Sequence, residues 1–210
     1  MNNKFAWYDS KDLPSQMVQG ALGQLPGWKR LEHASHFIVL DSFIQHIRNK
    51  VSSIADIGCG AGELVRICKS YGKRAVGYDL DHIIEQAAKN INPNLEFETF
   101  DAYASDFKFV EEYDLVICNS FLSELNNSVE VVNKIVANLQ HGKYLIIHRQ
   151  AITNKPKSYT EPYTTYAGLE TPVYIMSNLE IADTLTRHNC IIIGQEEISK
   201  TQISLLIEKL

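Results

Sequence analysis

Three glycines in five positions, Gly58, Gly60 and Gly62, follow the apolar run Ser53-Ile54-Ala55-Asp56-Ile57 and precede a helix-like stretch beginning at Glu63. Glycine at a strand end accepts positive φ and lets a ligand approach the backbone closely. Three acids, Asp56, Asp79 and Asp101, close three successive strand-like runs in the same part of the chain. A carboxylate at such a place accepts hydrogen bonds from both hydroxyls of a ribose, or from an exocyclic amine. Together the acids form a rim that favours a cationic, hydroxyl-bearing ligand. The glycine spacing is G-x-G-x-G, and Glu63 stands where a dinucleotide turn has its third glycine. A carboxylate in the first helical turn also disfavours a pyrophosphate at that helix N-terminus, so the spacing suits a ligand without phosphates.

These residues need a scaffold that brings strand ends together. The periodicity predicts a short helix around Pro14 to Leu22, a Pro26-Gly27 turn, and an amphipathic helix from His36 to Arg48. Strands and helices then alternate. The strands are Ser53 to Ile57, Arg74 to Tyr78, Leu95 to Phe100, Tyr113 to Asn119 and Tyr144 to His148; helices run from Glu63 to Tyr71, Asp81 to Asn90 and Ser128 to Leu139. That alternation means a mostly parallel, doubly wound Rossmann-like α/β sheet. A helix from Asn178 to His188 leads into strands Cys190 to Ile198 and Gln202 to Glu208, with three residues between them. So short a connection permits only an antiparallel hairpin. Seven strands result, with the last one reversed.

At these residues a resemblance becomes specific. Asp56-Ile57-Gly58-Cys59-Gly60-Ala61-Gly62-Glu63-Leu64 resembles the first motif of the class I S-adenosylmethionine-dependent methyltransferases, and Gly77-Tyr78-Asp79 their second-strand acid. The resemblance covers about residues 35 to 150, and the terminal hairpin separates this family from dehydrogenases. It implies S-adenosyl-L-methionine as cofactor and S-adenosyl-L-homocysteine as product. Asp56, Gly58, Cys59, Gly60 and Gly62 would surround the methionine part. Asp79 and Leu80 would meet the ribose, Asp101 and Ala102 the adenine, and Asn119 would line the path to the sulfonium. Asp79 also suits a helix N-cap, and Asp106 competes with Asp101 for its role.

For the acceptor side the residues say less. Asn119-Ser120-Phe121-Leu122 lacks the prolines of enzymes that methylate base amino groups, which favours oxygen over nitrogen. His148 closes the fifth strand and is the first candidate general base, because its ordinary pKa lies near neutrality; Glu124 is the second. A histidine there could equally satisfy a backbone group. Arg149 is placed with the substrate, and His33 or His36 could face the pocket from a segment roofing it. Residues 155–174 hold four of the ten tyrosines and three of the six prolines. A long connection of this kind reads as a substrate flap offering Tyr159, Tyr163 and Tyr166, or as an ordered loop or dimer contact. The stretch from Leu145 to Tyr174 resembles bacterial methyltransferases associated with cell-surface polysaccharide, which implies a sugar-linked acceptor.

The bulk properties narrow the classes. The chain has 210 residues, enough for a single domain with a sizeable core. It divides into an N-terminal helical segment to residue 50 roofing the site, a cofactor-binding core at 51–150, a substrate loop at 151–176, and a helix plus hairpin at 177–210. A net charge of −5 without a basic cluster argues against nucleic acid or an anionic membrane surface as partner. Cys59, Cys68, Cys118 and Cys190 lack metal-site spacing and read as buried free thiols; no metal is required. No run suits a signal peptide or a membrane helix, so a cytoplasmic protein, monomer or homodimer, is expected. The predicted function is a methyltransferase acting on a small molecule. A sensor that binds the cofactor without catalysis and an NAD(P)-dependent oxidoreductase are the rivals.

Overall fold

A computed structural model describes residues 12–25, 29–164 and 170–210. Its strands are β1 (Ser53–Ile57), β2 (Arg74–Asp79), β3 (Glu96–Thr99), β4 (Leu115–Asn119), β5 (Tyr144–Thr153), β6 (Tyr159–Thr164), β7 (Glu170–Ser177), β8 (Cys190–Ser199) and β9 (Gln202–Lys209). The helices are α1 (Leu13–Ala21), α2 (Phe37–Ile47), α3 (Glu63–Ser70), α4 (81–91, with a π-helical middle), α5 (Ser128–Asn138) and α6 (Asn178–Arg187). The predicted Pro26-Gly27 turn lies outside the described residues.

The main sheet runs β3-β2-β1-β4-β5-β9-β8, parallel except where β9 meets β5 and β8. This is the expected doubly wound sheet with its reversed last strand. Alternate residues of each central strand face opposite layers. Ala55, Ile57, Val116, Cys118, Leu145 and Ile147 pack toward α5 and α6, whereas Ile54, Leu115, Ile117, Tyr144 and Ile146 pack toward α2 and α3. Both faces are therefore covered, which is why β4 is apolar throughout its first four residues. All four cysteines are free and buried. No helix among the described residues is long and apolar enough to cross a membrane.

The region predicted as a loop is a correction. β5 continues five residues past His148, pairs with β7 at Ile152↔Met176 and Thr153↔Ser177, and β7 folds back on β6 as an antiparallel hairpin. Two strands are thereby added to the seven. Tyr159 and Tyr163 lie on β6, opposite Ile175 and Thr171, and Tyr166 falls outside the described residues. Prolines suggested irregular backbone here, but Pro162 and Pro172 face each other, and β6 is an edge strand where a missing N–H is tolerated.

At the opposite end of the sheet one acid ties three strands. Asp114 accepts from the amides of Ser52 and Ser53, from the Ser52 hydroxyl, and from Lys143 beside β5. Burial would raise its pKa, but these four donors outweigh it and hold the carboxyl well below its usual range. A depressed acid stabilises the fold above its unfolded pKa, and that contribution is lost as pH falls toward the folded value. Asp114→Ala is expected to cost about 1.5–3 kcal/mol at pH 7, with the deficit shrinking in acid. Urea unfolding at pH 7 and pH 3 checks this; equal deficits at both would remove the charge from the account.

Candidate functional site

In an open α/β sheet, ligands bind beyond the carboxyl ends of the strands where strand order reverses. Here that place lies between β1 and β4. The glycine turn leaving β1 takes the left-handed conformation three times, with φ of 75° at Gly58, 53° at Gly60 and 78° at Gly62. At Gly58 the need is also steric, since a Cβ there would come within 2.4 Å of the Phe121 ring. The turn after β4 thus closes directly onto the turn after β1. Gly58 and Cys59 both donate their amides to the Tyr78 carbonyl, at 2.8 and 3.2 Å, which fixes the turn to β2.

Asp79 completes that link. Its Oδ2 accepts from the Gly60 amide and its Oδ1 from the Leu80 amide, each at 2.8 Å. Burial raises its pKa to about 6 against the lowering effect of those two amides. Asp56, 3% exposed, is pushed up to about 8 by burial first and by the Asp79 charge second. Burial and the same two acids drive the Cys59 thiol far up, so it is no nucleophile.

Among the described residues, three buried polar atoms at these strand ends find no hydrogen-bond partner: Asp56 Oδ1, Asn119 Oδ1 and Ser120 Oγ. Buried polar atoms are normally paired, so a cluster of orphans at a switch point marks a ligand's place. With Asp79 they offer mostly acceptors, a set that fits a cationic, hydroxyl-bearing group such as the implied cofactor. Asp101 behaves differently. Its Oδ1 accepts the Tyr103 amide at 2.9 Å within its own turn, and its carbonyl accepts from Ala104 and Ser105. Ala102 beside it is 1% exposed, and the exposed Asp106 caps Lys108.

The N-terminal segment reaches the site at three points. In α1, the Met17 sulfur lies 3.6 Å from where a Cβ on Gly60 would stand, and α1 also touches α4. Glu63 Oε1 accepts the Leu31 amide at 3.0 Å, next to an Arg66–Glu32 ion pair. His36, just before α2, places Nδ1 3.0 Å from His148 Nε2. His33 is exposed.

The acceptor side is built on β4 and β5. His148 pairs in register with Asn119, and its carbonyl accepts the Ser120 amide at 2.9 Å. Ser120 and Arg149 both sit in left-handed backbone, at φ 58° and 57°, and Arg149 falls in a bulge of β5. Such strain in residues other than glycine clusters at functional sites. His148 is 1% exposed and both ring nitrogens are engaged, Nδ1 with Ser204 Oγ at 2.6 Å. Neither of its ring nitrogens is left free among the described residues. Burial, then His36 and Arg149, lower its pKa to about 3; burial and Arg149 lower that of His36 to about 4. Glu124 is exposed at its side chain, and desolvation first and the Asp79 charge second raise its pKa against the lowering effect of Arg149. Tyr159 is half-buried, with the Lys155 ammonium 3.9 Å over its ring.

Sequence reasoning missed Ser204, Met17 and the Glu63–Leu31 bond. Ser204 had a signal, a lone hydroxyl inside the apolar run Ile203 to Ile207. Met17 and Leu31 had none, because their partners lie far along the chain.

A family profile described as a methyltransferase domain matches residues 55–147. No curated protein matches the sequence. Among solved structures, the amino pentose methyltransferase CalS10 of Micromonospora echinaspora, involved in calicheamicin biosynthesis and bound to SAM, aligns with a TM-score of 0.63. It is 14% identical, over 86% of this chain and 94% of that one. An S-adenosylmethionine-dependent methyltransferase of Mesorhizobium loti gives 0.64 at 13% identity, over 85% and 100%. The magnesium protoporphyrin IX methyltransferase of Synechocystis PCC 6803, with bound SAH, gives 0.60 at 17%, over 82% and 83%. At these identities the likeness is one of fold.

The raised acid makes a prediction. An acid whose folded pKa exceeds its unfolded value near 3.9 destabilises the fold progressively as pH rises from that value toward the folded one. Asp56→Asn is therefore expected to gain stability over the parent between pH 4 and about 8 in the ligand-free protein. Thermal unfolding across that range reads it; parallel curves would show Asp56 ionised throughout.

Proposed function

We propose that this chain, which belongs to the class I S-adenosylmethionine-dependent methyltransferases, methylates an oxygen of a small-molecule acceptor, one carried on a sugar or similar scaffold. The observation that carries the cofactor part is the rim of acceptors around the glycine turn: orphaned Asp56 Oδ1 and Asn119 Oδ1 beside the Asp79 carboxylate. When bound, the sulfonium supplies an electrophilic methyl group. Asp79 would hold the ribose hydroxyls while keeping its bonds to Gly60 and Leu80, since each carboxylate oxygen has a second lone pair. Asp56 and Asn119 would face the cationic amino-acid end, and Ala102 with Asp101 would border the base. Met17 and residues 31–36 would cover the crevice and exclude water, which strengthens every electrostatic contact inside.

Support for the acceptor reading comes from β5. The strand that carries His148 and Arg149 also pairs with the tyrosine-bearing hairpin, so an acceptor held beside His148 would lie against that same element. The related Micromonospora protein is an amino pentose methyltransferase, in keeping with a sugar-linked acceptor. In this reading His36 touches the acceptor and His148 positions it, in place of the direct role expected for His148 from sequence.

Isothermal calorimetry is expected to give micromolar-scale binding of S-adenosyl-L-homocysteine and none of NAD; comparable or reversed affinities would overturn the proposal. Asp79→Ala should weaken S-adenosyl-L-homocysteine by about 1–3 kcal/mol, roughly 5- to 150-fold. An unchanged affinity in a folded variant would reduce Asp79 to a fastener of the turn.

A further inference from the structure

We infer that the methyl acceptor is a carboxylate, received by the Nε2–H of His36 acting as a hydrogen-bond donor rather than as a base. This rests on the methyl-transfer reading above and deepens it by naming the acceptor's charge.

One chain of hydrogen bonds links Ser204, His148 and His36. Ser204 is 0% exposed, and among the described residues its hydroxyl has a single partner, His148 Nδ1 at 2.6 Å. Were Nδ1 protonated, the serine hydrogen would be buried without an acceptor, at a cost of about 1–3 kcal/mol. Ser204 therefore donates, and the neutral His148 carries its proton on Nε2. That proton lies between the two rings, on the 3.0 Å line to His36 Nδ1. His36 Nδ1 is thus the acceptor, and the neutral His36 ring holds its own proton on Nε2. Only one proton fits between the rings, so Ser204 on β9 sets what His36 shows to a ligand. Burial together with the Arg149 charge keeps both rings neutral near pH 7.

His36 Nε2, on the far side of its ring from His148, is a donor and cannot remove a proton. A neutral hydroxyl or an ammonium must lose one to be methylated; a carboxylate need not. The Arg149 guanidinium lies within electrostatic reach of His36, His148 and Glu124, adding a positive field on the side where an anion would sit. In the step itself a carboxylate oxygen supplies the electron pair of the new O–CH3 bond. The pair of the broken S–CH3 bond stays on sulfur. Anion and sulfonium cancel, the products are a methyl ester and a neutral thioether, and no proton is released.

Long-range proton–nitrogen NMR of the full chain, with 15N-labelled histidine and saturating S-adenosyl-L-homocysteine, is expected to show the Nε2–H tautomer for both His36 and His148. An Nδ1–H tautomer at His36 would expose a basic Nε2 and overturn the inference. Titrating benzoate should then shift the His36 resonances, while benzyl alcohol and benzylamine should not. No response to benzoate, or an equal response to the alcohol or the amine, would overturn it as well, and the latter would return Glu124 as base for a neutral acceptor. Ser204→Ala, with its melting temperature monitored, should admit the Nδ1–H tautomer at His36 and weaken benzoate about fivefold. Unchanged tautomers in the folded variant would remove Ser204 from the chain. Calorimetry of S-adenosyl-L-homocysteine on the same samples separates a failed acceptor from a failed cofactor site.

Discussion

The Asp79 carboxylate, bonded to the amides of Gly60 and Leu80, is the contact on which the rest of the site depends. It joins the turn after β1 to the start of α4, two backbone stretches that share no ladder. Hydrogen bonds to a charged group contribute about 1.5–3 kcal/mol each, enough to hold three left-handed glycines in one arrangement. Gly58, so held, stands under Phe121 and fixes the turn after β4 as well. One acid at a strand end therefore orders the ends of β1, β2 and β4.

That arrangement has an electrostatic cost. Burial disfavours the ionised form of both Asp79 and Asp56, the Asp79 charge adds to the penalty on Asp56, and the Cys59 thiol feels burial and both acids. The ligand-free crevice thus stores unfavourable interactions that a cation would relieve, since an opposite charge nearby restores the carboxylates. Across β4 burial keeps both histidines neutral, and the Arg149 charge adds to that effect. The two sides of one cleft thereby differ in the charge they receive.

How much of this was legible depends on range. The strand-turn-helix at residues 53–70 and the acid ending β2 are local patterns, in which glycine spacing and apolar runs carry the physics. The terminal hairpin was legible because three residues cannot cross a sheet. The β6–β7 hairpin was not, because Pro162 and Pro172 read as breakers until their cross-strand pairing is known. The Ser204–His148–His36 chain joins three elements far apart in sequence, and only the β5–β9 register brings Ser204 next to His148. Asp101 has a local role that the spacing did not show, since its Oδ1 serves the turn it sits in.

Glu63 links the two kinds of information. In the sequence it stands against a pyrophosphate, as a negative charge in the first turn of α3. In the structure the same carboxylate accepts the Leu31 amide, and the Arg66–Glu32 ion pair sits one turn further along α3. The segment that this bond holds ends at His36, five residues on from Leu31. Removing the Glu63 carboxylate would lift the negative charge from the first turn of α3 and also free the Leu31 amide, so one side chain serves both the turn after β1 and the segment leading to α2.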